Sequence, residues 1–290
     1  AYIADVTAPQ DRAQAFGRIG AAFGLGFILG PVIGGWMGDE FGPRAPFFAA
    51  AALAGANFIF GLFVLPESLP KERRRAFSIM RANPLGTIMA LRQYPMIVAL
   101  IVAVFVWQCA QNVYPSSWSF YCAENFHWDT RMIGISFMVT GIGMAVVQFG
   151  ATGWFVKRLG EARTAILGIS IATVACICYG FIRDGWMVFA VQPWAALQAI
   201  AYPSITALMS QQVPGDQQGE LQGGVAGVSS LSQILGPFLM TQTLATFTGP
   251  GAPFYFPGAA FLLAAVLMIT CLVLLTAQLR MHPAPVREPV

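Results

Sequence analysis

Gln108, Gln111 and Asn112 stand at relative positions 0, 3 and 4 of an apolar stretch, with Trp107 and Tyr114 beside them. On a helix that spacing places three carboxamides on one face. Carboxamides do not shuttle protons or attack carbonyl carbons; they donate and accept hydrogen bonds. An unpartnered amide in hydrocarbon costs several kcal/mol, so this face must meet another helix, a water-filled cavity or a ligand. Amides and aromatics together suit a cavity for a planar, polar-edged compound; packing between helices is the competing reading. The groups that could do covalent, redox or metal chemistry are placed otherwise. His127 and His282 fall in a loop and a tail. Cys109, Cys122, Cys176, Cys178 and Cys271 fall in or beside apolar stretches without metal spacing and read as small buried hydrophobes. No carboxylate lies deep in an apolar stretch: Asp39, Glu40, Glu124, Asp129, Asp184, Asp11, Glu67, Glu72, Glu161, Asp216 and Glu220 all fall between them. No phosphate loop, nucleophile triad or metal site is present, so the sequence reads as a non-enzyme without cofactor or resident metal.

The positioning elements are helices in a bilayer. Of the 290 residues, 57% are hydrophobic and only 10% charged, against roughly 25% charged in soluble domains. Apolar runs of about twenty residues recur, as membrane-spanning helices require. Eight spans are expected, near 17–38, 46–66, 96–122, 132–156, 163–183, 186–209, 220–244 and 255–279. Trp118, Tyr121, Trp128 and Trp186 lie near span ends and read as interfacial anchors. The first span is unusual. It carries glycine at 17, 20, 24, 26, 30, 34 and 35, with Pro31 after Gly30. Gly26, Gly30 and Gly34 form a smooth ridge that lets a second helix approach, and Pro31 bends the helix beside it.

Thirteen of the 16 Lys and Arg residues fall on one side of the spans; Arg44, Arg131 and Arg183 fall on the other. The positive side is the cytoplasmic one, which puts both ends of this chain in the cytoplasm. The basic run Lys71–Arg75 lies in the only long polar stretch and reads as a topology signal and a contact for anionic lipid. A net charge of +3 spread over connecting loops carries no signal for nucleic acid.

A repeat is also legible. Residues 9–17 (PQDRAQAFG) and 214–223 (PGDQQGELQG) each open a Gly- or Ser-rich helix that reaches a Gly-Pro pair, Gly30-Pro31 and Gly236-Pro237. Asp11-Arg12 and Asp216 recur at equivalent cytoplasmic entries, where a carboxylate suits the helix dipole; helix capping and a cytoplasmic gate are both open readings. Both copies start on the same side, so they are parallel repeats. Four spans separate the long polar stretch from the second copy. By this symmetry four helices and roughly 110 residues are expected before the first.

The pattern G-x8-G-x3-GP-x2-GG is matched in full by Gly17, Gly26, Gly30, Pro31, Gly34 and Gly35. It resembles the fifth-helix signature of drug–proton antiporters in the major facilitator superfamily. AYIADVT, APFFAAAALAGANF, LPES with its basic run, AENFHW, MIG, KRLGE and QGELQG are similar to the TCR/Tet (tetracycline resistance) branch. This resemblance implies an all-α membrane fold with eight of twelve helices present, five to twelve. It divides the chain into 1–66 (helices five and six), a basic linker 67–95, a six-helix bundle 96–279 and a tail 280–290. It further implies a monomer in a bacterial inner membrane that exports a small amphiphilic drug, driven by protons. An endogenous metabolite as cargo and a fragment without transport are the alternatives. If helices eight, ten and eleven surround one cavity, Gln148, Gln198, Tyr202 and Gln233 line it with Gln108, Gln111 and Asn112. The family's cytoplasmic loop motif keeps Gly153, Arg158 and Gly160, but Lys157 stands at its acidic position. The positions matching the histidine and aspartate of tetracycline exporters are Met144 and Ala172, which counts against tetracycline itself. The proton-carrying acids are then expected outside this sequence.

Overall fold

A computed structural model describes residue 26, residues 29–30, 32–64, 95–212 and 218–281. Gly17, Pro31, Asp11, Arg12, Asp216 and residues 67–94 of the basic linker lie outside the described residues, and so does most of the first copy of the repeat.

The described helices are α1 (residues 32–41), α2 (Ala45–Val64), α3 (Pro95–Gln111), α4 (Val113–Phe126), α5 (Thr130–Val146), α6 (Thr152–Phe181), α7 (Gly185–Ala195), α8 (Ala201–Gln211), α9 (Gln218–Thr248) and α10 (Ala259–Met281). A π turn, Val147–Ala151, joins α5 to α6, and a 3-10 turn, Ala196–Ile200, joins α7 to α8. Ala45–Val64, Ile97–Phe126, Thr152–Phe181, Leu221–Thr248 and Ala259–Met281 are long and apolar enough to cross a membrane. Where the expected spans fall on described residues they are largely helical, but several are interrupted.

Each interruption has a local cause. Pro115 lacks an N–H, and its ring crowds the carbonyl four residues back, that of Gln111, where α3 gives way to α4. The 3-10 turn lies between Pro193, inside α7, and Pro203, whose ring crowds Ala199. Gly160, at φ 77° and ψ 164°, breaks α6 into two helices, as glycine does without a Cβ penalty. Thr164 Oγ1 donates back to the Gly160 carbonyl at 2.8 Å in the first turn after the break. At the opposite end of the bundle His127 takes a left-handed conformation and its N–H bonds the Ala123 carbonyl, closing α4. Asp129 Oδ1 then accepts the Met132 N–H at 2.8 Å, opening α5.

Contacts group the chain into two units, residues 1–78 with 128–142, and 79–127 with 143–290. In the first, α2 buries no residue and is apolar all round, the pattern of a helix in lipid. Its neighbour α1 meets the start of α5 at Gly35. A Cβ there would lie 3.2 Å from the Thr130 carbonyl oxygen and 3.9 Å from the Cα atoms of Arg131 and Gly134. The same atom built on Gly26 or Gly30 meets nothing within 4 Å and on Gly34 only Pro46 Cβ at 4.0 Å, so among the described residues the close approach falls at Gly35, the residue after the expected ridge. Leucine at this site would have to push two backbones apart, a cost of about 1–3 kcal/mol. Gly35→Leu is therefore expected to lower the melting temperature in detergent by several degrees while the protein still inserts; an unchanged melt would remove this contact from the argument.

In the second unit α10 packs on α3 and α6, α9 on α3, and α8 with the 3-10 turn on α6. Its core holds Ile97, Leu100, Val104, Ile169, Ile205 and Met268, all inaccessible. Four of the five cysteines are buried and all are unpaired, as the small-hydrophobe reading expects.

Candidate functional site

The interruption between α3 and α4 sets the site. Asn112, at the junction, keeps helical backbone angles, so its side chain follows that of Gln108 one turn earlier onto α9. Asn112 Nδ2 donates to the Gln108 carbonyl at 2.8 Å and to the Ser232 carbonyl at 3.3 Å. Gly236 admits it: a Cβ there would lie 2.7–2.8 Å from Nδ2, Cβ and Cγ of Asn112. Gln108 Nε2 donates to Ser229 Oγ at 3.2 Å, and Ser232 Oγ donates to the Ser229 carbonyl at 2.8 Å. The Gly-Pro pair of the second repeat copy is thus a docking slot for an asparagine 124 positions earlier in the chain.

Gln111 points the other way. Its Nε2 donates to Gln198 Oε1 at 3.1 Å, and Gln198 Nε2 donates to Tyr114 Oη at 3.3 Å. Tyr114 Oη lies 3.7 Å from Cys176 Sγ. Gln198 sits on the 3-10 turn and is 3% exposed, whereas Gln108 and Gln111 are half-buried. The turn is held against α6 at Gly168, where a Cβ would meet the Ala201 nitrogen at 2.8 Å. Hydrogen bonds of this kind between membrane helices contribute about 0.6–2 kcal/mol each.

Beyond Tyr114 the rings of Trp118, Tyr121, Tyr179 and Phe261 pack in edge-to-face and tilted pairs, with centroids 4.8–6.3 Å apart. Tyr121 Oη donates to the Tyr179 carbonyl at 2.5 Å, and Asn125 Nδ2 to the Ile182 carbonyl at 2.9 Å. Trp118 and Tyr121 are therefore not interfacial anchors: they are 3% and 0% exposed. Nearness to a span end misled, because Tyr179 and Phe261 arrive from α6 and α10 to cover them. Tyr114, Trp118 and Tyr121, at helical spacing, were the available signal for an aromatic face. Trp186, at 67% exposure, stands at a helix end as an anchor would.

The remaining candidates are dispersed. Gln148 is exposed on the π turn, Gln233 is exposed on α9 and Tyr202 is half-buried at the start of α8. Among the described residues their side chains make no hydrogen bond with Gln108, Gln111, Asn112 or Gln198. Gly153 is exposed, Arg158 lies 4.8 Å over the Trp154 ring, and Gly160 makes the helix break. Ala172 is fully buried and Met144 half-buried. Among the described residues no three His, Cys, Asp or Glu side chains converge as metal ligands. The site's chemistry is that of neutral donors and acceptors with a hydroxyl, a thiol and an aromatic wall. Such groups can orient a ligand by hydrogen bonds and ring contacts.

The sequence profile of the Major Facilitator Superfamily matches this chain twice, over residues 1–192 and 108–289. The class C tetracycline resistance protein of Escherichia coli is 36% identical over 272 residues, which is 94% of this chain and 67% of that protein. The class G protein of Vibrio anguillarum is 31% identical over 280 residues, 94% of this chain and 68% of its own length. The crystal structure of the human organic anion transporter MFSD10 (TETRAN) shares the fold with a TM-score of 0.67 at 22% identity, over 94% of this chain and 66% of that one. This chain spans about two thirds of the length of each of the three.

Proposed function

Because this chain belongs to the Major Facilitator Superfamily, in the branch of the tetracycline resistance proteins, we propose that it serves export of a small amphiphilic compound in exchange for protons. The observation that carries the reading is the cluster of neutral amides, Gln108, Gln111, Asn112 and Gln198, joined across three helical segments in an apolar bundle. Relatives at 31–36% identity that are named tetracycline resistance proteins support it. Half-buried amides beside tyrosine and tryptophan suit a planar compound with a polar edge. In this reading the proton gradient is the energy source and Met144 and Ala172 carry no proton. The carboxylates that do are expected outside the spans described here. In this reading Lys157, Arg158 and Arg163, on the side richer in Lys and Arg, face the cytoplasm at a bacterial inner membrane, and the transporter acts as a monomer.

Inverted membrane vesicles from cells expressing the native gene test this directly. Energised vesicles should accumulate tetracycline or another amphiphilic drug of a broad panel, and a protonophore should abolish the uptake. Uptake that persists with the protonophore would remove proton exchange. A panel in which no drug is moved would favour an endogenous metabolite, the second reading.

A further inference from the structure

We propose that Tyr114 is a positioning residue that fixes the amide presented to substrate by Gln111, acting through Gln198; this rests on the transport reading above. Gln198 is 3% exposed, so it is not the group a ligand meets. Gln111, half-buried, is the outer member of the pair. A glutamine side chain rotates freely about its last bond, and a carboxamide that turns over exchanges donor for acceptor. Recognition of a polar edge therefore requires that Gln111 be held.

The holding chain is visible atom by atom. The Tyr114 ring is wedged by Trp118, Phe261 and Tyr179, with centroids 6.1, 6.1 and 6.3 Å away, so packing locates its hydroxyl. That hydroxyl takes the Gln198 Nε2 hydrogen at 3.3 Å, which leaves Gln198 Oε1 facing Gln111 and accepting from its Nε2 at 3.1 Å. The Gln198 backbone is itself placed by the 3-10 turn against Gly168. Among the described residues Gln111 retains Oε1 and one N–H for a ligand. An adjacent acceptor and donor pair with the complementary set on a carboxamide, an enol or a vinylogous acid, and give nothing to a cation that lacks hydrogen-bonding groups.

The test compares two transported probes in inverted vesicles, tetracycline with its carboxamide and enol edge, and tetraphenylphosphonium with no such group. Tyr114→Phe keeps the ring in its cluster and removes only the hydroxyl. Loss of one hydrogen bond predicts a tetracycline KM raised about five-fold with the maximal rate within about two-fold, and an unchanged KM for tetraphenylphosphonium. Gln198→Leu should give a shift of the same kind, and the double variant Tyr114→Phe with Gln198→Leu should be no worse than Gln198→Leu alone. A packing role would move both probes together, and that result overturns the proposal, as does an unchanged tetracycline KM. If the wild-type protein moves no tetracycline, that compound is not its cargo and thermal unfolding in detergent decides the positioning. Coupled losses in the Tyr114→Phe and Gln198→Leu cycle support it, and additive losses overturn it.

Discussion

Gly258→Val should leave little folded protein in the membrane. Gly258 precedes α10, and its carbonyl accepts the N–H groups of Phe261 and Leu262 at 3.0 and 3.2 Å, so it starts that helix. A Cβ added there would fall on the carbonyl oxygen, carbonyl carbon and Cα of Gly180, near the end of α6. Those are backbone atoms of a buried helix and cannot swing aside. Relief requires α6 and α10 to separate where the aromatic cluster closes, with Tyr179 on one helix and Phe261 on the other. Overpacking in cores costs about 1–3 kcal/mol and more when only backbone can yield, set against total stabilities of about 5–15 kcal/mol. The expected result is loss of the monodisperse species in detergent chromatography. Gly180→Ala is the informative partner. Its Cβ meets the Leu262 side chain at 2.6 Å, the mobile end of a flexible group. Gly180→Ala should be milder and improved by Leu262→Ala, which should do nothing for Gly258→Val. A wild-type melt for Gly258→Val would show that the two backbones are not in contact.

Gln198→Leu is expected to raise the KM for a hydrogen-bonding substrate about ten-fold, the equivalent of 1.4 kcal/mol. Leucine matches the volume but removes the acceptor of Gln111 Nε2 and the donor to Tyr114 Oη in one step. Each orphaned group costs about 1–3 kcal/mol in a dry interior, and less between membrane helices, where measured couplings average about 0.6 kcal/mol. The stability loss should therefore be modest and the functional loss larger, because Gln111 becomes free to turn. Saturation kinetics in vesicles separate the two, and an unchanged KM would assign Gln198 to packing alone.

How much of this was readable beforehand differs residue by residue. The spacing of Gln108, Gln111 and Asn112 put three amides on one face, yet that face splits. Asn112 docks into α9 beside Gly236, Gln111 turns to the 3-10 turn, and Gln108 reaches Ser229. Nothing local encodes partners 87 and 121 residues away. Trp118 and Tyr121 read as anchors for the same reason: their covers come from other helices.

The sequence by itself determined that the chain is helical and apolar enough to be membrane-embedded, a property of short windows set by apolar length against bilayer thickness. The stretches near 96–122 and 186–209 read there as unbroken spans, although Pro115, Pro193 and Pro203 carry the local chemistry that interrupts them. Tertiary structure alone decided which amides meet, which glycines carry contacts and which aromatics are buried. Gly35, Gly168, Gly236 and Gly258 look no different in sequence from Gly26 and Gly30. They are set apart only by the atoms of distant segments that lie where a Cβ would be.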